Sequence, residues 1–231
     1  MPVATLVYHA GALGDFVTTL PCLRRYLDLH PKVELIYLGQ RVHGALGVAA
    51  GYFVSALDID QARYAALFAD APGAEVCALV RNCRAAIVFA DVESPVSANL
   101  RACGITTILR QDPFPHDTTH VVDYHMSLLG EMPVDRTARR PILDLPAAAE
   151  PQHAPPRRVV LHPGSGSARK NWPMERFARL ADRLRGAGCD VVWLVGPAEA
   201  GRVRLPDDAS VKADVSLVKL ARELNKSSLV L

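Results

Sequence analysis

Residues 146–158 (PAAAEPQHAPPRR) set the strongest limit on this chain. Four of these thirteen residues are proline, and none is large and apolar. Proline fixes φ and lacks a backbone N–H, so neither a central strand nor a helix interior runs through such a stretch. It reads as a linker, compatible with a mobile hinge or a passive crossover. On either side, short apolar runs alternate with segments of helical period, the pattern of parallel strands covered by helices. A chain of 231 residues is long enough for one large domain or two modest ones. The restart after the prolines favours two α/β units, residues 1–145 and 159–231.

The first unit opens with residues 4–8 (ATLVY), an apolar run that reads as a buried strand. Residues 9–14 form a turn with glycines at 11 and 14. A helix over 16–29 comes next, its stripe made by Phe16, Leu20, Leu23 and Leu27. Pro21 inside it predicts a kink or a division. Further strands are expected at 33–39, 54–59, 85–90 and 106–109. Helices are expected at 61–68, 72–81, 94–102 and 120–129, the last with Val121, Tyr124, Leu128 and Leu129 inward. Residues 40–50 read as short helical or irregular, with His43 a surface or cap residue. Asp15 stands at the mouth of the first crossover. A carboxylate there caps the helix, or serves as a general base where open α/β sheets bind ligands.

In the second unit the strand at 158–161 (RVVL) runs into HPGSGSARKNWP, residues 162–173. Phe177, Leu180, Ala181 and Leu184 then recur at helical spacing. Strand, Gly/Ser-rich turn, cation and helix together offer backbone N–H groups to an anion. Gly164 and Gly166 permit close approach, Ser165 and Ser167 donate hydroxyls, and Arg169 and Lys170 supply charge. The segment reads either as a phosphate-binding loop for a nucleotide-linked ligand or as a capped surface loop with two solvated cations. It lacks the GxxxxGK[ST] spacing of a Walker A loop. Residues 190–195 (DVVWLV) form the next strand. Glu199 lies just beyond it and either receives ribose hydroxyls or begins a helix. A loop with one short strand over 202–215, a helix over 216–224 capped by Ser216, and a strand starting at 227 complete the pattern. A further C-terminal segment is expected after it.

Composition narrows the classes. A formal charge of +2 gives no support for a nucleic-acid binder. Five cysteines, an odd number without a CxxC pair, read as reduced and mostly buried thiols of a cytosolic protein. His116, His120 and His125 lack acidic or cysteine partners for a metal set and are expected at the surface or in an acceptor groove. There is no basic leader with a long apolar run, and no stretch long enough to span a bilayer.

The motifs GALGDFVTTLP (11–21), HPGSGSARKNWP (162–173) and LVGPAE (194–199) stand in an order that resembles the ADP-heptose–lipopolysaccharide heptosyltransferases of glycosyltransferase family 9. The resemblance implies an α/β chain of GT-B type, two Rossmann-like domains facing across a cleft, the second incomplete here. Residues 1–145 would be the acceptor-side domain and 159–231 part of the nucleotide-sugar-binding domain. It implies an inverting transferase without metal or cofactor, using a nucleotide-sugar donor, ADP-heptose, and a lipid-linked saccharide acceptor. Asp15 takes the place of the catalytic base. Lys170 takes that of the group that contacts the donor pyrophosphate. Gly14, Ser165, Gly166 and Ser167 fall at ligand-facing positions, and Glu199 at the ribose contact. The family's DSGxxHLA-type motif would come after the strand at 227–231. Cytoplasmic placement, with peripheral contact at the inner membrane, is the matching expectation. Another GT-B sugar transferase, an epimerase, or an inactive nucleotide-sugar-binding protein are the alternatives.

Overall fold

A computed structural model describes residues 3–130, 136–145, 157–164, 171–196, 205, 210–213, 215–227 and 229–230. The chain divides into two compact units, Met1–Leu145 and Pro146–Leu231. The first is built from β1 (Val3–His9), α1 (Leu13–Leu29), β2 (Val33–Gly39), α2 (Arg41–Ala49) and β3 (Ser55–Asp58). It continues through a 3-10 helix (Ala62–Phe68), α3 (Ala74–Val80), β4 (Cys83–Phe89), α4 (Val96–Ala102), β5 (Thr107–Gln111), α5 (Val121–Ser127) and a 3-10 turn (Arg136–Arg139). The strands pair in parallel in the order β3-β2-β1-β4-β5. The chain steps outward from β1 to β3 and then returns to β4 on the other side of β1. The order therefore reverses between β1 and β4, which is where open α/β sheets bind ligands, outside the carboxyl ends.

Alternation along β1 assigns its side chains to two cores. Leu6 and Tyr8 pack with Tyr64, Leu67, Val76, Val96 and Leu100 beneath the 3-10 helix, α3 and α4. His9 lies in the other layer, where its ring meets Phe16 of α1. Register sets His9, Gly39, Phe89 and Gln111 in one row at the carboxyl edge. Gly39 is required there: a Cβ would stand 2.0 Å from the His9 carbonyl oxygen. That closeness lets the Tyr37 hydroxyl donate to the same oxygen at 2.9 Å.

Several local expectations are corrected. Pro21 does not divide α1, which runs as one helix from Leu13 to Leu29; the hydroxyls of Thr18 and Thr19 donate back to the carbonyls of Asp15 and Phe16 one turn earlier. The helix expected at 61–68 is present as a 3-10 helix, Ala62–Phe68. His43 is buried, because α2 turns His43, Gly44, Leu46 and Gly47 inward. In α5 the fully buried residues are Val122, Asp123, His125 and Met126, while Val121, Leu128 and Leu129 of the expected stripe pack partly buried against Cys22, Val122 and Met126. The cysteines are not all thiols. Cys77 of α3 and Cys103 after α4 form a disulfide, since the two helices lie side by side and bring their Cα atoms to 4.5 Å. Cys22, Cys83 and Cys189 are free.

The second unit contains β6 (Arg158–Leu161), α6 (Met174–Gly186), β7 (Asp190–Val195), β8 (Ser210–Ala213), α7 (Leu217–Asn225) and β9 (Leu229–Val230). Its strands are parallel in the order β8-β7-β6-β9, again reversing beside the first strand of the unit. Phe177 and Ala181 of α6 pack on Val159, Leu161, Val191 and Trp193. Arg158 ties the unit together at the opposite edge, bonding Asp190 at 2.7 Å and Glu223 at 3.3 Å. Ser216 caps α7 by accepting from Lys219 N–H. Among the described residues, no helix is long and apolar enough to cross a membrane.

Candidate active site

The loop between β1 and α1 spans only residues 10–12, so the first turn of α1 is held close to the end of β1. Asp15 is the third residue of α1. Its Oδ2 accepts the Ala12 N–H at 3.2 Å, satisfying one orphan donor of the helix start. Capping therefore fixes this carboxylate in place, half-buried at the carboxyl end of the switch strand. From β2's end, the Gln40 amide donates to the carbonyls of Ala10 and Gly11 at 3.3 and 3.1 Å, bracing the loop. Gly14 is exposed, with open space where a Cβ would stand.

Under this loop lies a group that sequence reasoning missed. His9, His43 and His125 are all buried. Phe16 stacks on His43 with centroids 5.3 Å apart and meets His9 edge-on at 5.9 Å. Phe89 meets His9 at 6.1 Å and His125 at 5.1 Å, both edge-on. Burial pulls His9 down to about 4, helped by the His43 and His125 rings and opposed by the nearby Asp15 carboxylate. Burial also pulls His125 down to about 4, again against Asp15. Both rings are therefore neutral at neutral pH. The Gln111 amide nitrogen donates to Tyr124 O at 2.5 Å and Ser127 Oγ at 3.3 Å. That leaves Gln111 Oε1 to accept from His125 Nδ1–H at 3.4 Å, which places the proton of His125 on Nδ1. A signal for these rings was present. His9 continues the odd-residue face of Thr5 and Val7, and His125 sits three residues after Val122 and one before Met126.

At the carboxyl end of β6, His162 Nδ1–H donates to Leu194 O at 3.1 Å, joining the loop start to β7. Beyond the loop, Trp172 meets Phe177 at 5.1 Å, and Phe177 meets Trp193 at 6.3 Å. This aromatic row anchors the entry to α6, whose N-cap is Pro173. Ser165, Gly166, Ser167, Lys170 and Glu199 lie outside the described residues. Among the described residues no cluster of His, Cys, Asp or Glu could hold a metal ion.

Two parallel sheets, each with its order reversing at its first strand, make a two-unit α/β fold of GT-B type. The solved structures it resembles agree. A family 9 glycosyl transferase from Veillonella parvula superposes with a TM-score of 0.72 at 18% identity, over 99% of this chain and 75% of that one. ADP-heptose lps heptosyltransferase II of E. coli gives 0.69 at 14% identity, over 99% and 78%. The E. coli heptosyltransferase WaaC, solved with ADP-2-deoxy-2-fluoro heptose, gives 0.68 at 17% identity, over 99% and 82%. The sequence model of glycosyltransferase family 9 (heptosyltransferase) matches residues 103–225, and the chain belongs to that family. No curated protein sequence matches it.

Proposed function

We propose that this glycosyltransferase moves a heptose from ADP-heptose to a hydroxyl of a lipopolysaccharide-core-type saccharide, with inversion at the anomeric carbon and Asp15 as general base. The observation that carries the reading is the position of Asp15: in the first turn of α1, where its carboxylate accepts the Ala12 N–H, half-buried, at the carboxyl end of the strand beside which the sheet order reverses. In this mechanism the acceptor hydroxyl attacks as its proton passes to Asp15. The departing diphosphate gains charge, which Lys170 and the N–H groups of the loop at 162–173 neutralise without a metal. Glu199 holds the ribose. Residues 1–145 take the acceptor and 159–231 the donor. A single base with direct displacement gives inversion, since no second nucleophile is called for. The donor assignment is supported by the E. coli relative solved with an ADP-heptose analogue.

Asp15→Asn tests it. The amide keeps the size and much of the capping ability but cannot take up the proton. Turnover with both substrates saturating should fall about 10²–10⁴-fold, while donor affinity and the thermal melt stay close to wild type. Turnover near wild type would leave Asp15 as a helix cap only.

A further inference from the structure

His9 stands beside the proposed base, and general-base catalysis by Asp15 gives it no task. It is 3% exposed and ends the switch strand. Phe16 and Phe89 grip its ring edge-on from two sides, so packing fixes its orientation. Nδ1 is buried without a hydrogen-bond partner among the described residues. The other edge of the ring faces Gly11. A Cβ built on Gly11 would lie 3.1 Å from His9 Cε1, 3.3 Å from Nε2 and 3.3 Å from Asp15 Oδ2. Imidazole edge and carboxylate thus flank the same bare backbone position, and Gly11 itself is open to solvent.

We infer that His9 is a substrate-contacting residue, its Nε2–H and the Asp15 carboxylate holding the attacking saccharide hydroxyl between them over Gly11. This deepens the reading of Asp15 as base and rests on it. Neutral imidazole carries one N–H, and the negative carboxylate on the Nε2 side favours that hydrogen on Nε2 rather than toward the apolar wall. A hydroxyl oxygen seated there accepts from His9 and donates to Asp15, with a lone pair left for the anomeric carbon. As the new C–O bond forms, the bond to the diphosphate oxygen breaks and its electron pair leaves with the diphosphate. The hydroxyl proton passes to Asp15, and His9 keeps its own. Glycine at position 11 keeps the place free, since a methyl group would press on both partners.

Two measurements on the full chain test this. Nitrogen-15 NMR of the histidine rings, with His9→Phe identifying the His9 signals, should show the Nε2–H tautomer; an Nδ1–H tautomer overturns the inference whatever the acceptor. Kinetics with ADP-heptose and deacylated lipopolysaccharide core oligosaccharide form the second arm. His9→Phe keeps the ring and its packing, so the melt and calorimetric ADP affinity should be unchanged while acceptor KM rises about tenfold, the size of one hydrogen bond. His9→Gln, whose amide nitrogen reaches toward the place of Nε2, should recover part of this, and Gly11→Ala should reproduce the loss. Wild-type acceptor KM and kcat in His9→Phe overturn the inference. If Asp15→Asn is impaired and His9→Phe is not, His9 alone is wrong; if Asp15→Asn turns over normally, the base itself is wrong.

Discussion

The two units have sheets of the same kind but opposite interiors. Every buried polar or charged residue among those described belongs to the first unit: Thr5, His9, Thr19, His43, Ser97, Asn99, Gln111, Asp123 and His125. The described core of the second unit is apolar, with Val159, Leu161, Phe177, Ala181, Val191 and Trp193 packed together. Buried polar groups are tolerated only where partners or function compensate. Some are compensated visibly: the Asn99 amide donates to Leu67 O at 3.0 Å and Ala69 O at 2.8 Å, and Arg139 pairs with Asp123 at 2.6 Å. His9 and His43 keep an unpartnered ring nitrogen each. Polar groups are thus built into the first unit's core beneath the proposed base. Among the described residues of the second unit, the buried nitrogens left without a hydrogen-bond partner are Trp193 Nε1 and Arg222 Nε.

Three experiments probe this contrast, the largest effect first. Trp193→Ala should destabilise the second unit by about 3–5 kcal/mol, the usual loss for a buried aromatic, and lower its calorimetric transition with little effect on the first. An unshifted transition would mean that the aromatic row through Trp172, Phe177 and Trp193 does not hold that core. Acid should act on the first unit instead. His9 and His125 titrate near 4 when folded, against an ordinary value near 6.5 in the unfolded chain. Above about 6.5 the stabilisation is fully present. Between about 6.5 and 4 the unfolded state alone takes up protons, so stability falls as pH drops through that window. Melts recorded from pH 7 to 4 should show the first unit's transition falling by an amount on the order of a few kcal/mol, and His9→Phe should reduce the slope. Equal acid sensitivity in both units would break the comparison. Lys170→Ala should leave both transitions in place and weaken ADP binding by about one to two decades, the loss of one charge-assisted contact. Calorimetry showing unchanged ADP affinity would remove Lys170 from the donor site.

Much of this was legible in the sequence, for a physical reason. Parallel strands buried on both faces must be near-continuous apolar runs, so residues 4–8, 33–39, 85–90 and 190–195 announce themselves. Asp15 was legible because a carboxylate right after a strand and a glycine turn has few other places to go. The histidines were not, because imidazole suits surface and core alike. His125 is buried because α5 turns Val122, His125 and Met126 fully inward while Val121, Leu128 and Leu129 pack only partly buried beside them, a ranking that periodicity alone does not supply. The Cys77–Cys103 pair was invisible for a related reason: 26 residues separate its members, and only the packing of α3 against α4 brings them together.

The alternation of β1 has one more consequence. Tyr8 and His9 face opposite layers, one committed to the apolar core under α3 and α4, the other to the rings beside Asp15. Deleting or inserting a single residue within the strand would exchange them, sending an imidazole into the first layer and a phenol to the second. Substitution at either position changes one function at a time, whereas a change of length disrupts both together.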